Sequence, residues 1–273
     1  MNKRKGYALI ELLVAIAVVV LLMAILMPAL QRVRNQAQAV ACQSNLKQWS
    51  LCFSMYTHDN NGKFFAHWLN PRTHWLQVMQ PYYADNNDVF LCPAAPKDES
   101  GADEYYTVGG RYSAWTFHPA PPPPGLHAEH VCGSYGLNSW VSDVPQQAST
   151  TPAYNPDNGD YLWCWRTCYV NAAATVPVLL DCTLPGAPPR DTDTPPEYGD
   201  TCFSCSPMSA FCIDRHDGHI NSLFMDWSVR KVALKELWVL KWHRQFNTAG
   251  PWTKAGGVQP SCWPEWMRNF EDY

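Results

Sequence analysis

Lys5-Gly6-Tyr7-Ala8-Leu9-Ile10-Glu11 leads into an unbroken apolar run from Leu12 to Met27, which Pro28 closes. Lys3, Arg4 and Lys5 form a short basic stretch ahead of it. At about 1.5 Å per residue a helix from Tyr7 to Leu30 is roughly 36 Å long, against a bilayer hydrocarbon core of about 30 Å. The segment spans or nearly spans a membrane. Glu11 is out of keeping with it, because an ionisable group among lipid tails costs about 3 kcal/mol or more unless it is paired. That cost marks Glu11 as a functional residue. Pro28 has no N–H to offer the carbonyl of Ala24, so the helix is expected to bend or loosen there.

Two plain readings of this stretch exist. One is a secretory signal peptide, with Met1 to Lys5 as its basic region and Ala37-Gln38-Ala39 as a small-x-small cleavage site. Against it, the apolar core is long, carries an acid and ends well before those alanines. The other is a signal anchor with an incidental glutamate. The third reading rests on likeness. Gly6, an aromatic residue, two apolar residues, Ile10, Glu11 and then some twenty apolar residues closely resemble the class III signal of type IV prepilins and type II secretion pseudopilins. Pro28 falls where that family carries its helix-kinking proline. Tyr7 stands for the commoner Phe and Ala8 for the commoner Thr.

The resemblance implies cleavage between Gly6 and Tyr7 and methylation of the new N-terminus. In a helical stack of subunits, the Glu11 carboxylate would neutralise the terminal ammonium of a neighbouring copy, since a buried charge is tolerable only when paired. Implied partners are copies of the chain and other pilins, a prepilin peptidase and an inner-membrane assembly platform. The implied location is a single inner-membrane pass with a periplasmic head, then a periplasmic pseudopilus or an extracellular filament.

Beyond Leu30 the helix turns amphipathic. Leu30, Val33, Ala37 and Val40 recur at spacings of three and four, and after a phase slip Leu46, Trp49, Phe53 and Tyr56 continue the stripe. One helix from about Tyr7 to Tyr56 is expected, ended by His58-Asp59-Asn60-Asn61-Gly62. The 273 residues leave room for a head of roughly 200 residues with its own core. A net charge of −4, with only 16% charged residues, excludes a basic surface for nucleic acid. Thirteen Trp and 13 Tyr serve either core packing or a sticky, carbohydrate-facing surface.

Trp75, Leu76, Val78, Met79 and Tyr82-Tyr83 predict a short helix, together with Trp68. Val89-Phe90-Leu91-Cys92-Pro93 follows, and Pro119 to Pro124 must be extended. Ser134-Tyr135-Gly136-Leu137-Asn138, Val176 to Asp181 and Phe211 to His216 predict strands. Ile220–Met225 and Val229–Leu234 flank Asp226-Trp227-Ser228 as a hairpin. Leu234, Leu237, Trp238, Trp242 and Phe246 have helical spacing. The tail from Asn247 is loop-rich, with Trp252, Trp263, Trp266 and Phe270 as docking side chains.

His216, nine residues, then Asp226 resembles the processing-associated His-x9-Asp-Gly motif of pilin-like proteins from planctomycete- and lentisphaera-type bacteria. Gln43 to Gln48, Cys92-Pro93, Ser134 to Asn138 and Leu237-Trp238 through Trp242-His243 are similar to that group as well. Trp227 replaces the motif's glycine, so a changed turn is expected, because Trp does not suit φ > 0.

His216, Asp226 and Asp181 are candidate cation ligands. Carboxylates with carbonyls suit Ca²⁺, as in the major pseudopilins that the chain resembles, and an imidazole favours Zn²⁺. The simpler alternative is a hydrogen-bonded His216–Asp226 pair pinning the hairpin. A hydrolytic group of His216, His219 and Asp226 is a third option. Eleven cysteines in a chain whose head leaves the cytoplasm argue for disulfides, with Cys42 and Cys92 as one pair. Cys164, Cys168, Cys182, Cys202, Cys205 and Cys212 cluster late, and Cys202-x2-Cys205-x6-Cys212-x3-His216 also fits a zinc site.

The combined expectation is an α+β, pilin-like chain that is not an enzyme. It has a leader (1–6), a transmembrane and assembly helix (7–56, apolar over 7–30), a globular head (57–235) on a small antiparallel sheet with long loops, and a C-terminal helix and docking tail (236–273). The alternatives are a membrane-anchored minor pilin binding glycan or a secreted substrate, and a metal-dependent hydrolase.

Overall fold

The computed structural model describes residues 4–66, 75–83, 86–97, 106–117, 131–144, 160–200 and 206–273. Trp68, the proline tract at 119–124, Cys202 and Cys205 lie outside them. Helix α1 (Arg4–Asp59) runs unbroken through Pro28. It is the one helix among the described residues that is long and apolar enough to cross a membrane.

Its two halves meet different surroundings. Side chains from Ile10 to Ala37 are exposed, whereas Ala39, Cys42, Leu46, Trp49, Phe53 and Tyr56 are buried at alternating spacings of three and four. This stripe faces the head. The amphipathic stripe expected from Leu30 is corrected here: Leu30, Val33 and Ala37 are exposed because the helix projects beyond the head there, and Val40 because it lies on the face away from buried Ala39 and Cys42.

Against the lower half pack helix α2 (Trp75–Tyr83) and a five-stranded sheet. Trp49 is the hub on the α2 side, ringed by Phe53, Trp75, Tyr83 and Phe90, with its indole N–H on the carbonyl of Val89 at 2.9 Å. The sheet comprises β4 (Tyr135–Asn138), β5 (Pro177–Asp181), β6 (Gly186–Ala187), β7 (His219–Phe224) and β8 (Val229–Ala233), in the order β6-β4-β5-β7-β8. All pairings are antiparallel except β4 with β6. A second, three-stranded sheet joins β1 (Tyr106–Thr107), β2 (Trp115–Phe117) and β3 (Val131–Gly133). This is an α+β arrangement, a long N-terminal helix on a largely antiparallel sheet.

The β7–β8 hairpin forms where the alternation predicts it, but its turn does not avoid φ > 0. Trp227 N–H bonds the carbonyl of Phe224 at 2.9 Å, and Trp227 itself takes φ 66°. That is a three-residue loop ending in a left-handed residue, the place a glycine would fill. Trp227 accepts the strain, and its carbonyl takes a hydrogen bond from Lys47 of α1 at 3.1 Å.

Two other expectations are corrected. Phe211 to His216 is not a strand: a 3₁₀ turn (Pro207–Ala210) runs into an irregular loop, and Arg215 and His216 point into the protein. The helical spacing from Leu234 yields only a 3₁₀ segment, Leu234–Val239, whose apolar residues lie against the core. The tail then wraps the head. Lys235, 1% exposed, donates to the carbonyl of Phe270 at 2.9 Å and to Asp272 at 2.7 Å, and lies over the Trp263 ring.

Candidate functional site

Two features stand out. The first is the bare half of α1. Large apolar side chains from Ile10 to Leu30 are 48–71% exposed on all sides of the helix. A patch of that size marks a surface made for lipid or for other protein. Glu11 sits within it, and among the described residues no ion pair involves it.

The second feature lies where α1 enters the head. Cys42 belongs to the buried stripe of α1. Cys92 sits in the turn after the 3₁₀ segment Asn87–Phe90, where Ser134 pins it: Cys92 N–H donates to Ser134 Oγ at 2.8 Å, and that hydroxyl donates to Ala95 O at 2.9 Å. Asp181 ends the wholly buried strand β5, and His216 comes from the loop before β7. Their ligand-type atoms all lie within 4.8 Å of one another. His216 Nε2 is 3.2 Å from Asp181 Oδ2 and 3.4 Å from Cys92 Sγ, and Cys42 Sγ is 3.7 Å from Asp181 Oδ2.

Around these four sit three fixed donors. Arg215, with no exposed side-chain surface, reaches Asp181 Oδ1 at 3.0 Å and the carbonyls of Ser134, Gly110 and Arg111. The backbone N–H of Asn221 donates to Asp181 Oδ2 at 2.8 Å, and the Tyr135 hydroxyl donates to Cys42 Sγ at 3.3 Å.

Burial alone would raise the pKa of Asp181. Its hydrogen bond with His216 and the charges of Arg215 and His216 outweigh that and hold it at about 2. Burial works against a charged His216 too, but its bonds to Asp181 and Cys92 raise it to about 9. The thiols diverge. Burial, the bond to Cys92 and the Asp181 charge push Cys42 well up. Cys92, also opposed by burial, is brought below the usual thiol range by its bonds to Cys42 and His216 and by the Arg215 charge. One carboxylate, the Arg215 guanidinium, the His216 imidazole and two thiols shifted in opposite directions share this buried site.

Residues 1–27 match the family model of the prokaryotic N-terminal methylation motif. Over those residues the chain is similar to type IV pilins. No curated protein and no solved structure matches it.

The structure brings together only part of the ligand set read from sequence. Asp181 and His216 meet. Asp226 is exposed in the hairpin turn, where its carboxylate takes the backbone N–H of Ser228 at 3.0 Å and its hydroxyl at 2.6 Å. It lies about five strand residues, roughly 16 Å, from the Asn221 position that touches Asp181. The His216–Asp226 pair and the His216, His219, Asp226 group are therefore not assembled.

Cys42 and Cys92 are neighbours as expected, but as free thiols. Cys212 turns away from His216 and points its thiol at Met267 Sδ, 3.9 Å off. Sequence reasoning missed Arg215, whose one signal was a basic dipeptide, Arg215-His216, set between Asp214 and Asp217 just after an apolar run. It also missed that the two cysteines and the Asp–His pair form one cluster.

Proposed function

We propose that the chain is a structural subunit of a type IV pilus-like filament or a type II secretion pseudopilus. Prepilin peptidase cuts it after Gly6, so that 1–6 are lost as a leader and Tyr7 becomes the methylated N-terminus. One observation carries this reading: a single helix whose upper half is apolar and bare on every side and whose lower half is locked into a folded head. Before assembly the bare half lies in the inner membrane, with the head in the periplasm. On an assembly platform it moves from lipid into a bundle of like helices, where close packing replaces lipid contact. Glu11 then meets the Tyr7 amine of a neighbouring copy and fixes the register. Pro28 leaves the Ala24 carbonyl without its helical partner, a place where the bundle can adjust.

The test is electron microscopy of sheared surface or periplasmic material, with the N-terminal mass of the subunit. Fibres built of a chain starting at methylated Tyr7 support the reading. A mature chain starting at Met1, or at Val40 or beyond, sinks it. Glu11→Ala should abolish fibres while the head melts at an unchanged temperature. The glycan-binding alternative is less supported: every described tryptophan is buried or half-buried, and the exposed tyrosine rings among the described residues are Tyr112, Tyr169 and Tyr198.

A further inference from the structure

We propose that Cys42, Cys92, Asp181 and His216 form a zinc site that ties α1 to the head. The donor set decides the metal. Two thiolates, an imidazole and one carboxylate oxygen suit Zn²⁺, whereas Ca²⁺ requires oxygens throughout. The geometry agrees. A tetrahedron built on zinc bonds of about 2.0–2.3 Å has ligand-to-ligand edges of roughly 3.3–3.8 Å. Three of the six edges are 3.2 Å for His216 Nε2 to Asp181 Oδ2, 3.4 Å for Cys92 Sγ to His216 Nε2 and 3.7 Å for Cys42 Sγ to Asp181 Oδ2, and all six are within 4.8 Å, so the ligands close by about 1 Å at most around the ion.

The surroundings supply what such a centre needs. Zn²⁺ with two thiolates and a carboxylate carries one excess negative charge, and the buried Arg215 guanidinium beside Asp181 cancels it. Arg215 occupies Asp181 Oδ1, and Oδ2, which accepts the Asn221 N–H at 2.8 Å, keeps a second lone pair for the ion. Tyr135 donates to the Cys42 sulfur, an outer hydrogen bond of the kind that fixes a thiolate ligand. A surface groove lined by Arg32, Asn35, Ala39, His219 and Lys231 borders His216, so that this ligand is the one nearest solvent. Binding displaces the thiol protons and holds His216 neutral. The ligands come from α1, the loop after the first 3₁₀ segment, the end of β5 and the loop before β7, so one ion joins four segments. This inference does not depend on the filament reading.

The experiment uses the full chain purified in detergent without chelator. Elemental analysis should find about one Zn²⁺ per chain. Exchange with Co²⁺ should give the visible bands and thiolate charge-transfer absorption of a tetrahedral site with two sulfurs. His216→Asn and Cys92→Ser should each lose most of the zinc, and Cys212→Ser, at a buried thiol outside the cluster, should keep it. If the ligand variants fail to fold, peptide mapping of the unmodified chain decides. Alkylation of Cys42 and Cys92 blocked until a chelator is added supports the site. A Cys42–Cys92 disulfide, or both thiols reactive with no metal present, overturns it.

Discussion

The upper and lower halves of α1 are both rich in apolar residues, yet one is bare and the other buried. From Leu12 to Met27 the apolar character is continuous around the helix, whereas from Ala39 to Tyr56 it is confined to a stripe at spacings of three and four. A stripe can be covered by one neighbour, and the protein's own head covers it. A helix apolar on every side needs neighbours all round, which a single small head cannot provide. Distribution around the axis, more than total hydrophobicity, assigns one half to the fold and the other to the environment.

The sharpest way to break this contrast is to truncate one side chain in each half. Trp49→Ala empties the hub of the α2 side and should cost the head about 3–5 kcal/mol in denaturant unfolding. Leu21→Ala, at a residue 65% exposed, should leave that unfolding within about 0.5 kcal/mol of the parent. Equal losses would mean that the halves are not distinct.

A smaller effect follows from acid. His243 is 1% exposed, stacked on Trp163 at 4.7 Å and beside Trp140, and neither ring nitrogen has a partner among the described residues. Burial, with the nearby charges of Lys241 and Arg190, lowers its pKa from 6.5 to about 3. The unfolded chain therefore takes up a proton that the folded chain refuses. The contribution of His243 to stability is full above pH 6.5 and declines as the pH falls from there towards 3, by about 1.4 kcal/mol per unit for this group. His243→Phe should flatten that limb in melts across pH. The smallest effect concerns the turn that touches α1: Trp227→Gly should exceed Trp227→Ala in stability by about 1 kcal/mol, since both lose the ring and only alanine keeps the strain of φ 66°.

Much of the fold was legible because it is local. The helix, the β5 run and the β7–β8 hairpin each declare themselves within a dozen or so residues. Phe211 to His216 failed as a strand because its apolar residues are buried without a ladder and its polar pair is drawn inward by partners. The polar cluster was legible only in fragments. Cys42 and Asp181 are 139 residues apart in the chain, and no spacing rule predicts that they touch. Asp226 misled because the motif links it to His216 by sequence, while the hairpin carries it to the far end of the strand.

Because α1 passes from its bare tip into the head as one helix of 56 residues, with no linker between, the azimuth of the head is geared to its sequence. Each residue advances the helix by about 100°, so adding or removing a single residue between Pro28 and Ala39 would swing the head by more than a quarter turn. In any lattice gripping the tip, the compass bearing of every head is then set by counting residues.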